Sequence, residues 1–445
     1  MKKYLLILVL SSLLISQEQD LRKKIVIYKD SFSVIKEPLS LSLRAGLNPI
    51  TFSNLSQNVI DNSLFLDLQG ATILSQNISH NRFGIHQFMK KNIGASIELK
   101  PQSGSSIQGL LLDYNDKEIV LKTSKGLSIF YKNNLEYISL KSSEVSDKFS
   151  PEIEWVIQSD FDQNTNAEVH YISSDFSWNA IYNLIIDSSQ DSSATKAELT
   201  INAEITNNSN MNLFNVDLSV IEGTIPFNSQ SNISNTLSRI ATKIEDAVKI
   251  GDYYSFTLGN DINLKSLETN LYPLLAKRVI NYDKRYIFRN NERDQKDEPL
   301  NVEILFQNSD ENNLNIPLPS GTINLFEKSQ DGSINMLSKN IFQASHKGSL
   351  SIISAGKSFD INGKRRILNY DRQNNSEEST ISLQVINSSG QSIKVKLEEK
   401  IFGDWVVKES SSMYIKEDAN TIYFPLEIKP NSSETVTYSY RKEWK

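Results

Sequence analysis

The sequence predicts an all-β protein whose C-terminal part is an antiparallel β-sandwich, and three observations predict it. Apolar residues recur at every second position through most of the chain, as in strands with one buried face. Glycine, asparagine and aspartate separate these short runs, as turns require. The 445 residues include no cysteine, so packed apolar surface and backbone ladders must stabilise the fold without disulfides.

The first segment has the pattern of a signal peptide. Lys2 and Lys3 precede an apolar run over residues 4–15, and a charged stretch begins at Glu18. The run is shorter than the about 20 apolar residues that a membrane-spanning helix needs. We therefore expect residues 1–16 to be removed on export to the periplasm or the medium, which leaves no transmembrane segment in the mature chain.

Two small β modules are expected next. Residues 21–90 alternate in strand fashion and predict an N-terminal β-domain. Within residues 92–141, tight turns separate five apolar runs, at 97–99, 107–114, 119–123, 127–131 and 135–140. Such strands predict an SH3-like or Sm-like small barrel, because closure hides the edges of a short sheet. Some small barrels bind RNA, but the export signal and the net charge of -6 argue against that use and favour a packing or spacer module.

The large sandwich is expected over residues 150–445, after a polar linker at 142–151. One window departs from the strand pattern, because apolar residues recur there at three and four positions before Gly251. That spacing predicts one short helix near 236–249. The polar stretches 226–234 and 290–298 have no period and predict loops, the second a mobile one.

The sandwich also carries a family resemblance. Its first part reads WVIQ, then AEVHYISSDFSWNAIYNLII and LTINAEITNNSNMNLFNVDLSVIEG, with a Trp-Asn-Ala-x-Tyr core and a strand closed by Glu-Gly. Its last third contains IPLPSGTINLFEKSQDGSINMLSKNIF. Over roughly residues 150–445 this order of elements resembles the bacterial family called domain of unknown function 4139, which includes mucoidy-inhibitor-A-like proteins. The family has no established chemistry, so the resemblance implies no catalytic residues. Many relatives carry a coiled coil where this chain has the barrel-like segment.

The bulkiest and the most chemically versatile residues do not combine into a site. Aromatic residues in strand-like contexts favour core packing over a ligand platform, and an asparagine beside one of them is expected to cap a turn. The histidines are too few and too scattered for a zinc motif. The aromatic residues are Trp178, Tyr182 and Trp405, the asparagine is Asn179, and the histidines are His80, His86, His170 and His346.

Paired acids are interpreted as solvated loop residues. A glycosidase needs two carboxylates on opposite sides of a cleft, and a sequence does not reveal that separation. Asp331-Gly332 lacks the other ligands of a calcium loop, and no phosphate-binding loop, nucleophile elbow or zinc-protease motif is present. The pairs are Asp160 with Asp162, Asp116 with Glu118, and Glu377 with Glu378.

These observations favour an exported cell-envelope protein with a non-catalytic binding or structural role. We expect no catalytic, cofactor or metal site, and a partner that is an envelope protein or a polysaccharide, not nucleic acid. The alternative is an envelope hydrolase with carboxylates assembled from distant loops. A deep pocket with two facing carboxylates would favour the enzyme, and a flat or grooved surface would favour binding.

Overall fold

The structure is a computed structural model, and it describes residues 22–29, 31–79, 89–90, 92–140, 151–187, 196–223, 248–329 and 331–444. Strands make up 71% of it and helices 3%, and no helix in the described part reaches seven residues. The predicted all-β class is confirmed. No described helix is long and apolar enough to cross a membrane.

The strands are β1 (Lys24–Tyr28), β2 (Phe32–Leu43), β3 (Gly46–Phe52), β4 (Phe65–Leu68), β5 (Thr72–Ser79), β6 (Ser96–Pro101), β7 (Ile107–Tyr114), β8 (Glu118–Thr123), β9 (Gly126–Tyr131), β10 (Leu135–Leu140), β11 (Glu152–Ser159), β12 (Gln163–Ser173), β13 (Phe176–Asp187), β14 (Lys196–Asn207), β15 (Leu213–Glu222), β16 (Val248–Ile250), β17 (Tyr253–Leu264), β18 (Glu268–Asn281), β19 (Asp283–Asn291), β20 (Lys296–Gln307), β21 (Gly321–Lys328), β22 (Ile334–Phe342), β23 (Leu350–Arg372), β24 (Ser376–Asn387), β25 (Ile393–Lys400), β26 (Asp404–Ser410), β27 (Ile415–Lys416), β28 (Thr421–Ile428) and β29 (Ser432–Glu443). Short 3₁₀ turns lie at Asp61–Ser63, Lys132–Asn134 and Asp310–Asn312.

The period-two pattern of the sequence translates directly into one buried and one wetter face. In β13 every second residue is buried, and Trp178, Ala180 and Tyr182 share that face as predicted. The same alternation runs through β14 and β24. These strands therefore form the walls of the hydrophobic cores.

Three sheets surround the first and larger core. A seven-stranded sheet has the order β16-β17-β15-β1-β2-β12-β4, a three-stranded sheet has the order β3-β11-β5, and a five-stranded sheet has the order β18-β14-β13-β21-β22. Most pairs are antiparallel, but β1 pairs with β15 and β13 pairs with β21 in parallel. One continuous cluster of buried side chains, from Ile25 to Ile353, fills the space between them.

Strands from both sides of the small module share these sheets. β1 and β2 of the predicted N-terminal domain pair with β15 and β12, and β11 lies between β3 and β5. The expected division between residues 21–90 and 150–445 is thus not a division between two hydrophobic cores. Apolar side chains of β1 and β2, such as Ile25 and Ile35, share one buried cluster with side chains of the later strands.

A nine-stranded sheet surrounds the second core. Its order is β26-β29-β24-β23-β20-β19-β25-β28-β27, and it curls into a half-barrel around its own apolar cluster. The two edges meet, because the indole of Trp405 on β26 donates to the carbonyl of Ala419 at 3.1 Å. The Lys416 ammonium of β27 lies 4.6 Å from the centre of the same ring. Trp405 is buried, as predicted.

Two long strands join the two cores. β20 contributes Ile304 to the first core and Leu300 to the second, and the 23-residue β23 contributes Ile353 and Ile361 in the same way. Between these two ends β23 bulges, and Phe359 stands at the bulge with 96% of its surface exposed.

Residues 96–140 form a separate five-stranded antiparallel sheet with the order β10-β6-β7-β8-β9. A 3₁₀ turn joins β9 to β10, and a small apolar cluster of its own lies inside the sheet. The five predicted strands are confirmed to within two residues at each end. This chain order and sheet order are those of an SH3-like module, and residues 96–140 are called the small module below.

One predicted loop is wrong. Residues 290–298 are the end of β19, a short turn and the start of β20, because the buried Arg365 guanidinium donates to the carbonyls of Glu292 and Asp294 in that turn. The predicted helix near 236–249 lies outside the described residues up to residue 247, and its last residues belong to β16. The signal peptide at 1–16, the stretch 226–234 and most of the linker at 142–151 also lie outside them.

Candidate binding surface

The Trp-Asn-Ala-x-Tyr segment and the Pro-Ser-Gly segment of the sequence meet where β13 pairs with β21. The Tyr182 hydroxyl donates to the carbonyl of Pro319 at 2.5 Å, and the side-chain amide of Asn179 donates to Thr322 at 3.3 Å. Burial raises the pKa of Tyr182 well above its usual value, so this hydroxyl keeps its proton. Trp178 and Tyr182 are therefore part of the core, as predicted. Asn179 bridges β13 and β21 instead of capping a turn.

Lys29 follows β1 and lies against the same segment. Its ammonium donates to Ser320 O at 2.6 Å and to Asn179 Oδ1 at 3.2 Å, and lies 4.4 Å from the centre of the Trp178 ring. Glu222 is 3.9 Å away. Burial lowers the pKa of Lys29, and the charge of Glu222 opposes part of that shift. With these acceptors around it, Lys29 links three strands and has a structural role.

The two histidines in the described part of the chain, His170 and His346, do not form a metal site. His170 stacks on Phe65 with ring centres 4.4 Å apart, and its Nε2 lies 2.7 Å from Glu168. The hydrogen bond with His170 lowers the pKa of Glu168. His346 is exposed, and His80 and His86 lie outside the described residues. No group of three or more His, Asp or Glu in the described part of the chain can hold a metal ion.

Two of the paired acids stabilise turns, and the others except Glu377 are exposed, as predicted for solvated loops. Asp162 accepts the backbone N–H of Ala45 at 2.7 Å, and Glu118 accepts a hydrogen bond from Asn115 in an exposed turn. Asp331 accepts both the N–H and the hydroxyl of Ser333. Asp160 and Asp116 are exposed. None of these carboxylates faces a second one across a cleft.

Glu377 differs from that prediction, because it is buried at the end of the half-barrel while Glu378 is exposed. It accepts the hydroxyl of Tyr370 at 3.1 Å and lies 3.8 Å from the ammonium of Lys442. Lys442 also donates to Glu292 at 3.0 Å. Strand alternation places Glu377 on the same face of β24 as Ile381 and Leu383, but a carboxylate in a sequence is ordinarily assigned to solvent.

The same end of the half-barrel contains a fully buried ion pair. Both Arg365 and Glu399 are 0% exposed, and three contacts of 2.8 to 3.0 Å join the guanidinium to the carboxylate. Tyr438 donates its hydroxyl to Glu399 at 2.6 Å. Burial raises the pKa of Glu399, and the contacts with Arg365 and Tyr438 oppose part of the shift. None of these three residues stands out in the sequence, because charged and phenolic side chains in strands are ordinarily expected to reach solvent.

A second buried carboxylate anchors a loop at the first core. Asp175 accepts hydrogen bonds from the hydroxyl of Ser56 and from the side chain and N–H of Asn58. The Ser56 hydroxyl also lies 2.7 Å from that of Ser173. A serine activated for nucleophilic attack usually has an imidazole as its general base, whereas the partners of Ser56 among the described residues are a carboxylate and a hydroxyl. The group holds the loop before β4 onto β12.

The small module carries the surface that the fold does not explain. On β9, Leu127, Ile129 and Tyr131 alternate along one face and are 57% to 68% exposed. Beyond β8, whose exposed Lys122 lies opposite Leu127, Leu110 and Leu112 of β7 are also more than a third exposed. We call these five side chains the β9 surface. Apolar residues exposed together, instead of singly, are typical of interaction sites.

The backbone of β9 is open as well. Within the described residues only β8 pairs with β9, which is therefore an edge strand. β9 contains no charge and no proline, the features that usually block an edge. By contrast, the edge strand β22 carries Lys339, and its Ser338 and Asn340 side chains donate to a carbonyl of β23. β9 is thus the less protected of these two edges.

No protein-family model matches the chain, and a search of curated proteins finds no match.

Proposed function

We propose that this protein is an exported, non-catalytic binding protein of the bacterial cell envelope and that the small module holds its partner. The β9 surface carries the proposal. Its five side chains lie outside the module's own core, which Ile97, Leu99, Leu111, Ile119 and Leu121 already fill. Burying one such side chain contributes roughly 1.5 to 3 kcal/mol, so a partner that covers several gains substantial binding free energy.

The buried charged groups support a structural role more than an enzymatic one. Arg365, Glu399 and Tyr438 satisfy one another inside the half-barrel, and Glu377 is paired with Lys442 and Tyr370. A hydrolase needs carboxylates that reach substrate and water. The alternative, an envelope hydrolase with loop carboxylates, therefore has less support from these groups than a binding protein has from the β9 surface.

Export rests on Lys2, Lys3 and the apolar run that follows them. We propose removal of residues 1–16 and membership of the domain of unknown function 4139 family. The Trp-Asn-Ala-x-Tyr and Pro-Ser-Gly segments both carry the resemblance to that family. The hydrogen bond from Tyr182 to Pro319 joins them, which supports a common structural role for the two segments. Cell fractionation with sequencing of the mature N-terminus tests export. A full-length cytoplasmic product would contradict it.

Site-specific photo-crosslinking in living cells tests the binding surface. A benzophenone amino acid replaces Ile129 on β9 in one variant and Glu136 on the opposite edge strand β10 in the control, and both positions are exposed. We expect a discrete crosslinked product at position 129 and none at position 136. The product should also disappear when Leu127→Ser and Tyr131→Ser are added to the first variant.

Crosslinks at neither position, or equal crosslinks at both, would contradict a partner on β9. Hydrolysis of envelope polysaccharide or peptide by the purified protein, lost in Glu377→Gln, would instead support the hydrolase.

A further inference from the structure

We infer that the partner on β9 is an extended protein segment that adds as an antiparallel strand, with alternating apolar side chains followed at its C-terminal end by acidic residues. This inference rests on the proposed function and names the class of partner. It follows from which backbone groups of β9 face outward and from the charges at one end of the strand.

The backbone geometry of β9 favours strand addition. In an antiparallel pair, directly opposed residues alternate between hydrogen-bonded and non-hydrogen-bonded pairs. The amide of Lys132 bonds to the carbonyl of Lys117 at 2.8 Å, which sets this alternation for the β8–β9 ladder. Leu127, Ile129 and Tyr131 are then the non-bonded positions. Their N–H and C=O groups point away from β8, toward the open edge.

The same three residues therefore offer both main-chain hydrogen bonds and apolar side chains. An added strand that pairs with them places its own alternate side chains on the same face of the sheet, beside the β9 surface. Main-chain bonds supply affinity in this mode of recognition, and alternate side chains supply selectivity. A folded partner with a flat polar surface satisfies neither requirement.

The charges at the two ends of β9 indicate the direction of the added strand and the residues at its C-terminal end. Lys122 lies opposite Leu127, Lys125 lies in the turn before β9, and both side chains are exposed. At the other end of β9, Lys117 and Lys132 have Asp116 and Glu118 as close neighbours in sequence and in the sheet. The excess positive charge is thus at the Gly126 end. An antiparallel strand presents its C-terminal end there, where acidic residues are favourable.

A second copy of the chain fits this edge less well. In antiparallel pairing of two β9 strands, with Ile129 opposite its counterpart, the strand that lies against Lys122 and Lys125 is another β9, which contains no carboxylate. A strand with its own acidic residues at that end complements the two lysines directly. The occupant with complementary charge is therefore an acidic extended segment of another protein.

The test measures binding of a synthetic peptide to the purified full chain by fluorescence anisotropy. The probe has capped ends, seven residues in which valine and threonine alternate, and two glutamates at its C-terminal end. We expect saturable binding that weakens about tenfold or more when alternate amides of the probe are N-methylated. Moving the glutamates to the N-terminal end, or replacing Lys122 and Lys125 by glutamine, should weaken it roughly threefold to tenfold at low salt.

Protein variants complete the design. Ile129→Lys should abolish binding of the probe, Ile129→Val should retain it, and the control Glu136→Lys on β10 should not weaken it. Circular dichroism checks that each variant is folded.

Equal binding of the N-methylated probe would overturn strand addition, and equal binding with reversed glutamates would overturn the assigned direction and charge. Dimers that dissociate in Ile129→Lys, seen by sedimentation, would replace the acidic segment by a second copy. If no probe binds while crosslinks at position 129 still form in cells, the inference fails and the proposed function stands. If no probe binds and no crosslink forms at position 129, the proposed function fails too.

Discussion

Trp178 brings together groups that are far apart in the sequence. Its indole donates to the carbonyl of Ile221 at 3.1 Å, and its ring lies under the ammonium of Lys29. A cation over a partly desolvated aromatic ring adds roughly 0.5 to 2 kcal/mol to the apolar burial. A single side chain thus stabilises contacts between the first strand and the strands after residue 170.

Replacement of Trp178 tests its structural role. We expect Trp178→Ala to lower the free energy of unfolding by about 3 to 5 kcal/mol, because removal of a buried aromatic ring leaves a cavity. Thermal melts measure the loss. Phe359→Ala is the matched control, since that ring is almost fully exposed, and its melt should be nearly unchanged. An unchanged midpoint for Trp178→Ala would make this segment a ligand site instead.

The buried pair of Arg365 and Glu399 predicts strong coupling. Arg365→Met should cost about 3 to 5 kcal/mol, because it leaves the Glu399 carboxylate buried without its partner. The double variant with Glu399→Gln should lose less stability than the sum of the two single variants, by roughly 0.5 to 3 kcal/mol. Denaturant titrations of the four proteins measure this difference. Additive losses would show that the two side chains act independently.

At the scale of elements, the parallel pairing of β13 with β21 depends on one glycine. A Cβ built on Gly321 would collide with the carbonyl oxygen of Ala180, a backbone atom that cannot move aside. Gly321 also ends the Pro-Ser-Gly segment whose Pro319 carbonyl accepts the Tyr182 hydroxyl. The glycine therefore permits the close approach of the two strands.

Substitution of this glycine should separate the strands. We expect Gly321→Ala to destabilise the protein by roughly 3 kcal/mol, at the upper end of the usual cost of overpacking. Gly390→Ala is the control, because nothing lies within 4 Å of its Cβ position. Chemical denaturation of both variants measures the effect. Equal stability of the two would contradict the close contact.

The sequence predicts single strands better than it predicts which strands pair with each other. The strands of the small module follow from alternation and turns, and so does the buried face of β13. The pairing of β1 with β15, across nearly two hundred residues, does not follow, because an apolar face predicts burial but not the partner that covers it. For the same reason the sequence does not show that Ile129 is exposed. Alternation puts Glu377 on the buried face of β24, but it does not reveal Tyr370 and Lys442 as the partners of this carboxylate.

At the scale of the whole molecule, charged side chains connect three strands in the middle of the half-barrel sheet. Glu303 on β20 accepts hydrogen bonds from Arg285 and Arg289 on β19, and Arg289 continues to Glu398 on β25. Burial alone would raise the pKa of Glu303, but the two arginines outweigh it and hold the pKa below its ordinary 4.5. The network joins three neighbouring strands of the sheet.

This shift predicts a loss of stability in acid. A carboxyl whose pKa is lowered in the folded state stabilises the protein above its unfolded pKa, and this contribution disappears as the pH falls through the folded pKa. The difference in unfolding free energy between the native protein and Glu303→Gln should therefore shrink as the pH falls from about 6 to about 3. Denaturant titrations across this range measure it. A constant or growing difference would contradict the sign of the shift.

The central claim is that the exposed apolar side chains of β9 serve a partner and not the fold. The most direct measurement is the thermal midpoint of the triple variant Leu127→Ser, Ile129→Ser, Tyr131→Ser. Substitutions on a free surface change stability by only about 0.5 kcal/mol each, so the midpoint should shift by no more than a few degrees. A fall as large as that of a core variant such as Leu121→Ser would show that the chain itself covers β9, and would contradict the claim.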